Sequence, residues 1–240
     1  MNVQILQDAQ SIGRIVGDML CDTVRQKPDA VLGLATGASP IPTYRHIAEQ
    51  CAAGKASFAQ VQSFNLDEYC DLPPTHPCSF HSFMARELFS HIDIPVSNCH
   101  FLDGNAPDTL AESERYRQAI EAAGGIDVQL LGIGRNGHIG FNEPAERFTG
   151  EAYRAALTQS TLDANACYFT DTPMPRYAMT MGVGQILRAR KMLLIATGEV
   201  KAWAVREMCR GKISPRCPAT ALQNHPNVFI YLDSAAAALL

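Results

Sequence analysis

The chain has 240 residues, with 20 basic against 24 acidic side chains, a net charge of −4, 47% apolar residues and 18% charged ones. That balance excludes a disordered chain, a coiled coil and a collagen-like fibre, and the sequence pI near 6.0 argues against a nucleic-acid partner, whose binder would be basic. At this length roughly 70–75% of the unfolded surface can be buried, enough for a core without staples.

The opening MNVQILQDAQ lacks the apolar stretch of a signal peptide. Helical periodicity then covers residues 10–26, a short apolar strand 30–35, a helix 41–53 and a second strand 60–66. Helices are predicted over 81–91 and 109–123, and the apolar run 128–133 reads as a third strand. After a helix at 184–190 come a strand at 192–197, helices at 201–210 and 219–224, and a last strand at 228–232. Near-continuous apolar strands alternating with amphipathic helices predict a single doubly wound α/β domain over residues 1–240, Rossmann-like, with a mostly parallel sheet covered on both faces. The stretch 144–176 breaks the rhythm and is expected to be a lid-like insertion. No apolar run approaches the ~20 residues of a membrane helix, so no membrane association is expected. The eight cysteines show no C-x-x-C and no clustered histidines, which points to reduced thiols in the cytoplasm rather than a zinc or disulfide framework.

Open α/β sheets bind ligands beyond the carboxyl ends of their strands. After the first predicted strand stand Thr36, Gly37, Ala38 and Ser39, then Pro40. Small residues and hydroxyls before a helix suit a phosphate, although an ordinary turn capped by Ser39 fits the same letters. The second strand ends in Phe64-Asn65-Leu66-Asp67-Glu68-Tyr69. A partly desolvated acid there can serve as a general base for a C–H proton. Alternation turns Asp67 and Glu68 opposite ways, so only one is expected to face a pocket. The third strand runs into Gly132-Ile133-Gly134-Arg135-Asn136-Gly137-His138-Ile139-Gly140-Phe141-Asn142-Glu143-Pro144. This glycine-rich loop carries a histidine with a carboxylate five residues on, a pair suited to moving a hydroxyl proton. No second histidine stands at metal-ligand spacing. After the fourth strand, Lys201 stands in a predicted first helical turn, a position the helix dipole disfavours unless an anion lies between.

The segments A-T-G-A-S-P-I-P-T-Y, F-N-L-D-E-Y, G-I-G-R-N-G-H-I-G-F-N-E-P and A-T-G-E-V-K-A occur in that order. With them the chain closely resembles the glucosamine-6-phosphate deaminase (isomerase) family from end to end. The resemblance implies ring opening of glucosamine 6-phosphate, C2-to-C1 proton transfer and loss of ammonia to give fructose 6-phosphate, formally a hydrolase acting on a C–N bond. It implies neither a metal nor another cofactor. By motif position Asp67 would be the enolisation base, His138 would act in ring opening with Glu143 supporting it, and Asn136 would orient His138. Thr36, Gly37, Ala38, Ser39 and Lys201 would hold the 6-phosphate.

Three departures accompany the resemblance. The family segment A-N-[SA]-R-[FY]-F supplies a phosphate-binding arginine, whereas Cys167 stands in its place here. Another cation, with Arg45, Arg154 and Arg176 as candidates, is expected to fill the gap. Residues 145–155 match poorly the effector contacts of the hexameric relatives that N-acetylglucosamine 6-phosphate activates, and those relatives continue past residue 240. A short, non-allosteric member is expected, monomeric or a small homo-oligomer. Two alternatives use the same features: a 6-phosphogluconolactonase-like hydrolase or a deaminase of another amino-sugar phosphate such as galactosamine 6-phosphate, and a sugar-phosphate-sensing domain without catalysis. A lactonase needs no C2 base, and the sensor reading lacks a basic helix-turn-helix segment, so Asp67 in its motif favours the deaminase.

Overall fold

The computed structural model describes residues 1–240. Its main sheet holds β1 (Asn2–Leu6), β2 (Val31–Leu34), β3 (Gln62–Asn65), β5 (Cys99–His100), β6 (Val128–Leu131), β9 (Lys191–Ala196) and β10 (Val228–Asp233). They run in the order β1-β10-β9-β6-β2-β3-β5, every pair parallel. A second, antiparallel sheet joins β4 (Asp67–Tyr69), β8 (Tyr177–Thr180) and β7 (Tyr153–Ala156).

The seven helices are α1 (Ala9–Gln26), α2 (Ile41–Ala52), α3 (Phe80–Glu87), α4 (Thr109–Ala122), α5 (Gln159–Asn165), α6 (Val183–Ile186) and α7 (Ala202–Arg210). None is long and apolar enough to cross a membrane. Successive strand residues point to opposite faces, which builds two apolar layers. Leu32, Leu130, Leu193 and Ile195 pack with Ile12, Leu20, Tyr44 and Ile47 of α1 and α2. Val31, Leu131 and Leu194 pack on the other face with Tyr116 of α4, Ile186 of α6 and Val205 of α7. Each such buried aliphatic side chain contributes about 1.5–3 kcal/mol, which is why these strands read as unbroken apolar runs.

The strand order positions the site. From β2 the chain moves outward to β3 and β5, then returns to β6 on the opposite side of β2 and moves outward again. Crossovers keep one hand, so the reversal places the later helices on the other face and opens a crevice between the ends of β2 and β6. The predicted insertion at 144–176 is β7, α5 and a 3₁₀ turn at Ala166–Tyr168, attached through β8 to β4. It carries its own apolar cluster, in which Tyr69 packs with Phe80, Phe141 and Phe169.

Candidate active site

A cavity of about 740 Å³ opens at this crevice. That is within the range of small-molecule sites. Its wall includes Thr36, Gly37, Ala38 and Ser39 after β2, Asp67 at the start of β4, Arg135 and His138 in the loop after β6, and Lys201 after β9. Ala164, Asn165, Tyr168 and Phe169 close it from the α5 side, so the insertion does overhang the cavity.

The loop after β2 gives an open cradle. Helix α2 begins after Pro40 with no side-chain cap, so Ser39 does not cap it and its hydroxyl stays free, as does that of Thr36. Lys201 ends a 3₁₀ turn, Glu199–Lys201, and α7 starts just beyond it. Burial, and then the charge of Arg135, hold its ammonium below the ordinary lysine value.

Asp67 and Glu68 do point opposite ways. Asp67 lines the cavity, is 5% exposed and makes no hydrogen bond within the chain. Burial, with the Glu68 charge beside it, pushes its carboxyl up to about 8. Glu68 is turned inward, where it accepts from the backbone N–H groups of Tyr69, Phe80 and His81 and from the His81 ring at 2.6 Å. This ties α3 to β4 and fixes the strand that presents Asp67. Thr180, opposite Asp67 in β8, donates no bond to it; its hydroxyl accepts from Phe141 N–H at 3.0 Å.

His138 lines the cavity, and its Nδ1 stands 3.5 Å from Glu143 Oε2. That is the reach of an ion pair rather than of a well-formed hydrogen bond, and it leaves Nε2 as the ring nitrogen free to face the cavity. Asn136 and Glu143 are not on the cavity wall but behind His138. Asn136 donates its amide to Glu143 Oε2 at 2.8 Å and accepts from the His138 N–H at 3.2 Å. Glu143 Oε1 accepts from the Thr161 hydroxyl and, at 3.5 Å, from Thr158 N–H. Burial alone would raise the Glu143 pKa; the neighbouring His138 ring, with the Thr161 and Asn136 hydrogen bonds, outweighs it and brings the carboxyl to about 2.

Two glycines in this loop are required by contact. A Cβ on Gly134 would lie 2.3 Å from the His138 ring, and one on Gly140, where φ is +56°, would stand 2.9 Å from Thr180 Oγ1 and 3.4 Å from Asp67 Oδ2.

The structure corrects one expectation and adds two residues. Arg45, Arg154 and Arg176 do not reach the cavity wall; the Arg154 guanidinium lies 3.7 Å from the centre of the Tyr177 ring instead. Cys167 is exposed on its 3₁₀ turn and also off the wall. Arg135, quoted in the glycine motif but given no role from sequence, is on the wall. Thr161 had no assigned role either; the pair Thr158 and Thr161 at the head of α5 was its only sequence signal, since hydroxyls gather at helix starts.

The family described as glucosamine-6-phosphate isomerases/6-phosphogluconolactonase matches residues 7–230. A glucosamine-6-phosphate deaminase of Shewanella loihica is 46% identical over 241 residues, covering all of this chain and 90% of that one. One from Halothermothrix orenii is 43% identical and covered in full. A solved structure of a monomeric glucosamine-6-phosphate deaminase superposes with a TM-score of 0.96 at 42% identity over the whole of both chains. A 6-phosphogluconolactonase from Trypanosoma brucei, at 19% identity and a TM-score of 0.74 over 98% of its length, shares the fold. A cavity built on F-N-L-D-E-Y and the glycine loop, and full-length identity at this level, lead to one conclusion: the chain belongs to the glucosamine-6-phosphate isomerase/6-phosphogluconolactonase family.

Proposed function

We propose that the chain deaminates glucosamine 6-phosphate to fructose 6-phosphate and ammonia. The observation that carries this reading is Asp67, a buried carboxylate with no partner of its own that faces the same cavity as the His138–Glu143 pair. Full-length relatives of that name at 42–46% identity support it.

The chemistry follows from the placement. Thr36, Gly37, Ala38, Ser39 and Lys201 hold the 6-phosphate with hydroxyls, backbone N–H groups and one ammonium. With Nδ1 turned to Glu143, His138 works through Nε2, taking the O1 proton and delivering one to the ring oxygen to open the pyranose. Glu143 and Asn136 fix the ring that does this, and do not touch substrate themselves. Asp67 then takes the C2 proton of the open aldehyde and returns it to C1, while a proton of the amino group passes to O1; C1 becomes an alcohol and C2 an imine. One water adds to that imine and one ammonia departs. The net change is hydrolysis of a C–N bond, but the bond breaks only after isomerisation, so the work is an isomerase's. Neither a metal nor a nucleotide has a step in this scheme.

A lactonase would use the same phosphate cradle and would need an activated water but no base at C2, so it leaves Asp67 without a task. Ammonia release from glucosamine 6-phosphate by the purified chain, beside galactosamine 6-phosphate and 6-phosphogluconolactone as competing substrates, tests the reading. Turnover of the glucosamine epimer is expected. Lactone hydrolysis without ammonia overturns it, and faster release from the galactosamine epimer moves the substrate. We further place the chain in the cytoplasm as a monomeric, single-domain enzyme of amino-sugar breakdown; its eight cysteines are all free, and a solved relative is described as monomeric.

A further inference from the structure

Three loops stand side by side at the carboxyl edge of the main sheet. β9 leads into the turn carrying Lys201, β6 into the glycine loop, and β2 into the cradle with the free hydroxyls of Thr36 and Ser39. β6 lies between the other two, with Leu131 level with Leu194 of β9 and Gly33 of β2 level with Gln129. The first residues of its loop therefore fall between the ammonium and the hydroxyls. Arg135 is one of them. It lines the cavity and makes no hydrogen bond or ion pair within the chain.

The other cations near the cavity are engaged or displaced. Arg86 is on the wall, but its Nε donates to Glu87 at 2.9 Å and its guanidinium lies over Phe83. Arg135 and Lys201 are the cations without a carboxylate partner, and they are close enough that Arg135 depresses the Lys201 ammonium after burial has done so. Two cations on one wall repel each other and contribute nothing to folding. A dianion between them converts that repulsion into attraction, and a guanidinium can donate to two of its oxygens at once.

We propose that Arg135 is the phosphate-binding arginine of this chain, closing the cradle between Lys201 and the loop of Thr36 to Ser39 in place of the flap position now held by Cys167. The assignment rests on the amino-sugar-phosphate reading above. It moves the arginine from the flap to the rigid sheet edge, so the phosphate can be held before the flap takes part.

Steady-state kinetics and calorimetric titration with inorganic phosphate test it on the intact chain. Arg135→Gln is expected to raise both the KM for glucosamine 6-phosphate and the dissociation constant of inorganic phosphate by about 10- to 150-fold. The loss should fall on KM far more than on kcat, as for an interaction made equally in ground and transition states. Arg135→Lys keeps the charge without the fork and should fall between. Arg135 is exposed, so the melting temperature should not move. Phosphate affinity within about twofold of wild type in the Gln variant overturns the proposal, and so does a KM that rises while phosphate affinity stays. The phosphate titration needs no turnover. A wild-type chain that releases no ammonia, yet loses phosphate with Arg135→Gln, refutes the deaminase reading and leaves Arg135 in place.

Discussion

Asp67 has two opposite demands on it. As a base it must be ionised; as a buried acid without a hydrogen bond, beside Glu68, it holds its proton up to about pH 8. An elevated pKa makes the ionised form a stronger base for a C–H proton, and kcat/KM should therefore climb with pH through a limb near 8. Asp67→Asn keeps the size and removes the basicity; deamination should fall by about 10²–10⁴-fold, the usual contribution of a placed acid–base group. Retention of more than about a tenth of turnover would assign the C2 base elsewhere. The same substitution has a signature in stability. A carboxyl whose folded pKa lies above its unfolded value contributes most at low pH, and that contribution is lost as pH rises through the folded pKa. Asn carries no such loss, so the variant should melt increasingly above wild type from pH 4 to pH 8 and by a constant margin beyond. A melting difference that does not change with pH would show that Asp67 is not buried as an acid. His138 separates from Asp67 by substrate form: His138→Gln should slow the cyclic sugar more than an open-chain analogue, and equal losses on both would move His138 out of ring opening.

At the scale of elements, Glu143 joins the glycine-rich loop after β6 to the insertion that carries α5. One oxygen faces His138 and Asn136, and the other takes the Thr161 hydroxyl from the first turn of α5. Thr161 is 3% exposed, so the bond has little competition from water. Thr161→Val removes the donor while keeping the shape. A hydrogen bond to a charged group is worth about 1.5–3 kcal/mol, so turnover of the cyclic sugar should fall by at least about tenfold, with Thr161→Ser near wild type. Equal activity of Val and Ser variants would show that the flap does not hold Glu143. The Thr161 contact was not legible in the sequence, because α5 is short and lies where no strong apolar period runs. The five long-buried strands were legible to within two residues at their ends, since both faces demand apolar side chains. β1 was not: its residues are almost all exposed, and an edge strand paired on one side with β10 carries no apolar run to find. β4, β7 and β8 escaped for another reason: they carry polar residues such as Asp67, Glu68, Arg154 and Thr180, and antiparallel pairing rather than an apolar run specifies them. The residues proposed for catalysis were singled out because they belong to long motifs. Arg135, on the same motif, was passed over because only strand order shows what stands beside it.

Across the whole molecule, the question is whether anything outside the cavity can govern it. The stretch 145–155, set by resemblance against the effector contacts of activated relatives, is here spent on other contacts. Arg154 lies over the Tyr177 ring, Glu151 holds Arg188 through two bonds of 2.9 and 2.6 Å, and Glu146 pairs with Arg216. The hollow beside this stretch, lined by Arg147, Phe148, Thr149 and Tyr153, amounts to about 20 Å³. A sugar phosphate is many times that size. The main sheet and the insertion meet through β4 and β8, and residues of both line the cavity. Saturation by glucosamine 6-phosphate should accordingly be hyperbolic, N-acetylglucosamine 6-phosphate should neither activate nor change the curve, and sedimentation should give one mass near 26.1 kDa with and without either compound. A Hill coefficient clearly above one that falls when N-acetylglucosamine 6-phosphate is added would require a second site and a second conformation, one in which the hollow beside this stretch is open.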